Sequence, residues 1–194
     1  MIHESADVAD TATVSESASV WHLAQVREGA SVGDDCVVGR GVYIGPGVSV
    51  GPRTKIQNFA QVYDPARLGA GVFIGPAVVL TNDVYPRSVD VDGELKRADG
   101  WDSTGVTVAD GASIGARAVV LAGVTVGEWA LVGAGTTVIR DVPPYALVVG
   151  NPGRQVGWVG RAGRRLEPAG DRRWRCPDTG EEYVETADGL TIDG

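Results

Sequence analysis

From Val8 to Leu80 every sixth residue of the chain is aliphatic, in one phase and without a slip. The series runs Val8, Val14, Val20, Val26, Val32, Val38, Ile44, Val50, Ile56, Val62, Leu68, Ile74 and Leu80. Val, Ile and Leu make up 47 of 194 residues. At that frequency a preselected phase would produce such a run by chance roughly once in 10⁸ trials. The series resumes in a new phase at Val108, Ile114, Val120, Val126, Val132 and Val138. The step of 28 residues from Leu80 to Val108 is not a multiple of six, so an insertion separates the two blocks.

A second column supports the period. Four residues after each aliphatic stands a small or β-branched residue, as at Ala12, Ala18, Ala24, Ala30, Cys36, Val42, Val48, Thr54, Ala60, Ala66, Val72 and Val78. Directly after the aliphatic, Gly recurs at 33, 39, 45, 51, 69, 75, 115, 127 and 133. An amphipathic strand alternates every two residues and a helix repeats near 3.6; a period of six fits a short strand plus a turn. These columns predict a solenoid of short parallel strands, with one large and one small residue per hexad pointing inward and stacking coil on coil. Three hexads would close a triangular coil, giving about six coils and a length of about 30 Å.

The net charge of −8 argues against a nucleic-acid platform, which needs a basic face. No apolar run is long enough to span a membrane, and the start, MIHESADVAD, has no apolar signal segment. Cys36 and Cys176 stand too far apart in sequence to suggest a disulfide framework. A cytoplasmic protein is expected.

Three stretches break the hexad rule. Residues 81–107 are polar and charged and read as a functional loop folding over a neighbouring surface. Pro143–Pro144 ends the regular coils, and Asn151 and Pro152 suggest the cap and first position of a short helix over 151–166. Residues 167–194 form a charged extension. Its Cys176-Pro177-Asp178-Thr179-Gly180 has half the pattern of a zinc ribbon, but there is no second cysteine pair, so a surface cysteine is expected. The expected organisation is a β-helix over 1–150, a helix over 151–166 and the extension over 167–194.

The hexad pattern over about residues 6–160 resembles the hexapeptide-repeat acyltransferases. That resemblance implies an all-β, left-handed parallel β-helix assembled as a homotrimer. Trp21-His22-Leu23, Lys55-Ile56-Gln57-Asn58, Thr81-Asn82…Pro86-Arg87 and Val142-Pro143-Pro144-Tyr145-Ala146 narrow it. They are similar to motifs of the nucleotide-sugar N-acetyltransferases, especially those acting on the 3-amino group of a UDP-2-acetamido-3-amino-hexuronate. A related branch uses dTDP-3-amino-6-deoxyhexoses. Leu23 stands where an aromatic is usual, and Gly153 where Ala is usual.

Acyl transfer from the thioester of acetyl-coenzyme A to an amine needs a neutral amine, a polarised carbonyl and alignment of the two. The chain has only His3 and His22, and neither falls on the inserted loop or in the second repeat block. A histidine base is therefore under-supplied, and three-histidine zinc chemistry of the carbonic-anhydrase kind is close to excluded. The resemblance implies that Asn82 orients the amine while the departing coenzyme A sulfur collects its proton; an amide can accept that hydrogen bond but cannot act as a base. His22 is a second catalytic candidate. Gln57, Asn58 and Tyr63 are expected along one edge with Asn82, contacting the pyrophosphate or sugar hydroxyls. Arg87 would meet the pyrophosphate or a uronate carboxylate. The resemblance also implies coenzyme A contacts from backbone near Ala116, Ala134 and Gly135 and from Arg140 and Arg154, with no metal. A non-catalytic β-helix scaffold and a hydroxyl acceptor are the competing readings.

Overall fold

The computed structural model describes residues 1–97 and 103–193; residues 98–102 of the expected loop lie outside the described residues. Among the described residues, nineteen two-residue strands, from Asp7–Val8 to Thr137–Val138, wind into a left-handed parallel β-helix. Every third strand pairs with the last, which divides the helix into three flat faces. The first face contains Ser19–Val20, Val37–Val38, Lys55–Ile56, Phe73–Ile74, Ser113–Ile114 and Leu131–Val132. The second contains Gln25–Val26, Tyr43–Ile44, Gln61–Val62, Val79–Leu80, Val119–Val120 and Thr137–Val138, among others. The third contains Ser31–Val32, Ser49–Val50, Arg67–Leu68 and Thr107–Val108. Register confirms the 18-residue coil, with Val37 opposite Lys55 and Lys55 opposite Phe73.

The aliphatic column fills the interior. Val20, Val26, Val38, Ile44, Ile56, Val62, Ile74 and Leu80 are fully buried, as are the small residues Ala18, Ala24, Ala60 and Ala66. Thr54 enters the same core because its hydroxyl donates to the Gly69 carbonyl (2.9 Å) and accepts from the Val72 N–H (3.1 Å). The glycine that follows the aliphatic lies where coils touch: a Cβ on Gly115 would come within 2.4 Å of the Ala134 nitrogen.

The insertion leaves the core register intact. Val79 pairs with Gln61 below and with Val119 above, so the coil closes across the interruption. The regular spacing ends near Pro143–Pro144, where Leu131 pairs with Leu147 after 16 residues instead of 18.

The expected helix over 151–166 is not formed. Ala146–Val149 continues the first face and turns through Gly150 into an antiparallel partner, Arg154–Trp158. Gly150 has φ +99°, a conformation suited to a tight turn. Glycines at 150, 153, 157, 160 and 163 weaken a helix, whereas Val148, Val149 and Val156 favour extended chain.

The extension is structured. Strands Glu167–Gly170, Arg173–Arg175, Glu182–Glu185 and Leu190–Ile192 form an antiparallel sheet. It packs on the last coil through Tyr183, fully buried, whose ring meets Tyr145 edge-on at 5.2 Å between centroids. The Tyr183 hydroxyl accepts from the Arg161 N–H (3.0 Å) and donates to the Glu181 carboxylate, which also pairs with Arg161. Cys176 is buried rather than at the surface. Its N–H donates to the Glu181 carbonyl and its carbonyl accepts from Gly180, both at 2.9 Å, which closes the Cys176–Gly180 turn.

Candidate active site

A period of six moves the chain to the next face, so residues a hexad apart occupy different edges of the prism. The edge after the first face is traced by a ladder of backbone hydrogen bonds. Gly41 donates to His22, Phe59 to Arg40, Ala77 to Asn58, Arg117 to Pro76 and Gly135 to Ala116. The edge after the second face carries Tyr63 and Asp64, then Asn82, then Leu121 and Ala122, then Ile139 and Arg140.

The sequence-predicted residues therefore divide. Tyr63, Asn82 and Arg140 share the second edge. His22, Gln57, Asn58, Ala116, Ala134 and Gly135 belong to the first. The expectation that Gln57 and Asn58 lie with Asn82 is thus corrected: they are one coil and one face away. Arg87 sits on the insertion, where its guanidinium donates to the Pro86 carbonyl (2.9 Å). Arg154 sits on the terminal hairpin and donates to the Gly153 carbonyl (3.0 Å).

On the second edge the insertion roofs a cleft of about 490 Å³ lined by Tyr63, Thr81, Asn82, Asp83, Val84, Pro86, Leu121, Ala122 and Ile139. Asn82 and Ser103 form its neck. The Asn82 carbonyl accepts from the Thr104 N–H (2.9 Å), and Asp83 bridges to Ser103. With the amide assigned by this hydrogen bonding, Nδ2 of Asn82 faces Ser103 Oγ at 3.5 Å. Ser103 Oγ in turn donates to the Asp64 carbonyl (2.9 Å). That chain leaves Oδ1 of Asn82 as an acceptor. Thr81 is committed to structure: its hydroxyl accepts from the Ala122 N–H (2.9 Å). Tyr63 packs against Tyr43 at 5.3 Å between centroids. Burial, reinforced by Asp64, holds the Tyr43 hydroxyl above the ordinary tyrosine range, so that neighbour stays neutral.

Ile139 also borders a second hollow of about 270 Å³, lined in part by Arg140, Asp141, Pro143 and Gln155. Ser103, Leu121 and Ile139 escaped sequence reasoning. Leu121 and Ile139 each follow an inward aliphatic, a position that the repeat marks only as an edge.

On the first edge His22 lies against His3, with ring centroids 3.6 Å apart and the planes tilted by 30°, and nearly parallel to Trp21 at 6.2 Å. Asn58 Oδ1 accepts the Arg40 N–H (2.9 Å), and a hollow of about 330 Å³ is bordered by Trp21, His22, Arg40, Gln57 and Asn58.

Residues 105–140 match the family model "Bacterial transferase hexapeptide (six repeats)", and residues 24–46 and 29–58 match "Hexapeptide repeat of succinyl-transferase". Over 60 residues the chain is 40% identical to a dTDP-3-amino-3,6-dideoxy-alpha-D-galactopyranose 3-N-acetyltransferase of Aneurinibacillus thermoaerophilus. That match covers 31% of this chain and spans 31% of the curated relative's length. A hexapeptide-repeat acetyltransferase of Vibrio cholerae, solved with acetyl-coenzyme A, superposes with TM-score 0.56 at 25% identity, covering 68% of this chain and 72% of that one. A hexapeptide transferase family protein of Anaplasma phagocytophilum shares the fold, with TM-score 0.55 at 18% identity and 81% of each chain covered. The two blocks of repeats and the three-faced coil carry the hexapeptide pattern that these models describe, and the fold is similar to that of the Vibrio cholerae hexapeptide-repeat acetyltransferase.

Proposed function

We propose that this protein is an acetyl-coenzyme A-dependent N-acetyltransferase whose acceptor is the amino group of a nucleotide-linked amino sugar. The observation that carries the reading is the Asn82 cleft. Its amide is oriented from behind by Ser103, with Oδ1 available to accept from an amine, at the foot of the insertion. The amine attacks the thioester carbonyl, the C–N bond forms as the C–S bond breaks, and the amine proton passes to the coenzyme A sulfur. Products are an N-acetyl sugar and a free thiol. Asn82 aligns the nucleophile and takes no proton.

The apolar wall of Leu121, Ala122 and Ile139 suits the methylene chain of the donor, and Arg140, beside Ile139, suits its phosphates, with Arg154 on the adjoining hairpin a further phosphate contact. Tyr63 offers a ring face to the sugar. We take the active unit to be a homotrimer, in which a site shared between copies joins the second edge of one chain to the first edge of the next. His22, Gln57, Asn58 and the backbone of Ala116, Ala134 and Gly135 would then serve that shared site. A monomeric mass in solution would overturn this arrangement.

Two acceptors compete. A UDP-3-amino-hexuronate is the reading that the motif resemblance favours most. A dTDP-3-amino-6-deoxyhexose is favoured by the cleft itself. Among its described lining residues there is no Lys or Arg to meet a sugar carboxylate, and Asp83 adds negative charge. The Aneurinibacillus relative is named for an acceptor of the second kind. The test is thiol release from acetyl-coenzyme A against UDP- and dTDP-linked 3-amino sugars with a carboxylate or a methyl at C6. Turnover with one of them supports the reading; release with none overturns it.

A further inference from the structure

We infer that His3 and His22 form a proton-sensitive clasp that holds residues 1–5 against the coil above them. The held segment covers the outer edge of the first face beside Val20. Ile2 bridges Val20 in parallel, the His3 N–H donates to the Val20 carbonyl (2.9 Å), and the Val20 N–H donates to the Met1 carbonyl (2.8 Å). Ser5 closes the segment onto the first edge, where its hydroxyl oxygen accepts from the Leu23 N–H (3.3 Å).

Ser5 is held in turn by the His3 ring. Nδ1 of His3 accepts from the Ser5 N–H (3.2 Å), and the Ser5 hydroxyl lies 3.0 Å from the same nitrogen. A backbone donor on Nδ1 assigns the ring as the Nε2–H tautomer by its hydrogen bonding. A proton on Nδ1 would leave the Ser5 N–H facing a second N–H. The His22 ring lies against the His3 ring, with centroids 3.6 Å apart and the planes tilted by 30°. Charges on two rings this close repel. The neighbouring cations add to that repulsion. Arg40 borders a hollow of about 530 Å³ together with Ser5, His22 and Leu23, and the Met1 ammonium, bonded to the Ala18 carbonyl, lies on the held segment itself. Glu4, the carboxylate of this segment, is exposed and forms no ion pair among the described residues. Imidazole is the side chain that gains charge between about pH 8 and about pH 5, so acidification opposes both the Nδ1 bond and the ring contact.

The third edge carries the same turn without the histidine. Ser17 takes the place of Ser5, its hydroxyl accepting from the Asp35 N–H (2.9 Å), and Ser15 takes the place of His3, its hydroxyl accepting from the Ser17 N–H (3.4 Å). On the second edge Thr11 accepts from the Gly29 N–H (3.2 Å). A hydroxyl thus meets the coil above at all three edges, and at the first edge alone that hydroxyl is held by an imidazole. Opening the clasp would free the Val20 edge and widen the hollow beside His22.

The test is residue-resolved hydrogen exchange of the full chain, compared as protection factors at about pH 7.5 and about pH 5. Protection of the Val20 and Leu23 amides should fall at least about tenfold at the lower pH, while that of Gly29 and Asp35 holds. His3→Ser keeps an acceptor of the kind Ser15 supplies and removes the imidazole, so the fall should vanish. His22→Phe keeps a ring against His3 without its charge and should reduce the fall. Thermal unfolding at both pH values shows that each variant is folded. Constant protection in the parent overturns the inference, and so does a fall as large as the parent's in either variant. A fall that spreads equally to Gly29 and Asp35 also overturns it, because it marks general loosening of the first coil. No acyl donor or acceptor enters the measurement, so its outcome is independent of the proposed activity.

Discussion

Asn82 and Ser103, 21 residues apart in sequence, face each other across the neck of the insertion, with Nδ2 of the amide 3.5 Å from the serine hydroxyl. The serine is anchored to the Asp64 carbonyl of the coil below. Replacing Asn82 with Ala should therefore lower kcat about 100-fold while moving KM little, since the amide acts on the aligned amine. Ser103→Ala should cost less, about 3- to 10-fold in kcat, because it loosens the amide without removing it. Steady-state thiol release reads both; near-parent turnover in Asn82→Ala would remove the proposed role.

His22→Ala should slow turnover less than Asn82→Ala. His22 lies on the other edge, one face away from Asn82, with its ring beside those of His3 and Trp21. The opposite ranking in the same assay would point to a histidine base.

Two glycines separate packing from backbone strain. A Cβ on Gly115 meets the Ala134 backbone nitrogen at 2.4 Å, whereas Gly47, with φ +65°, has open space. Gly47→Ala should cost about 1–2 kcal/mol from the left-handed backbone alone. Gly115→Ala should cost more, because neighbouring coils must separate, and Ile74→Ala should cost about 2–5 kcal/mol through a core cavity. Urea midpoints test the order.

The terminal sheet should weaken at both ends of the pH scale. Arg161 holds the Glu181 carboxyl below its ordinary value, so this pair stabilises the cap above the usual carboxylate range and its contribution fades as pH falls through the lowered value. Burial and the Glu181 hydrogen bond push the Tyr183 hydroxyl up to about 12, against about 10 in an unfolded chain. Its contribution is full below about pH 10 and is lost as pH rises through about 12. Thermal unfolding across this range, followed by Trp174 emission, should show both losses; Glu181→Gln should flatten the acid limb and Tyr183→Phe the alkaline one.

Much of this architecture was legible without coordinates. The hexad column names the buried Val, Ile and Leu residues directly, because a side chain's inward direction repeats with a strand-plus-turn period that a single chain displays. Asn82 and Tyr63 could be read as candidates, and the structure brings them into one cleft. The placement of Gln57 and Asn58 could not be read as surely, since the period repeats along every face and does not say which edge a polar residue joins.

The solenoid, its insertion point and its inward column are written into a local repeat and can be read from the chain alone. Which residues meet across the chain is settled by the folded coils. The Asn82–Ser103 neck joins the two feet of the insertion. The Gly150 turn makes a hairpin where capping residues suggested a helix, and the Tyr183–Tyr145 contact turns a charged tail into a cap. Each of these depends on long-range pairing, whose free energy exceeds the local preferences that a six-residue window records.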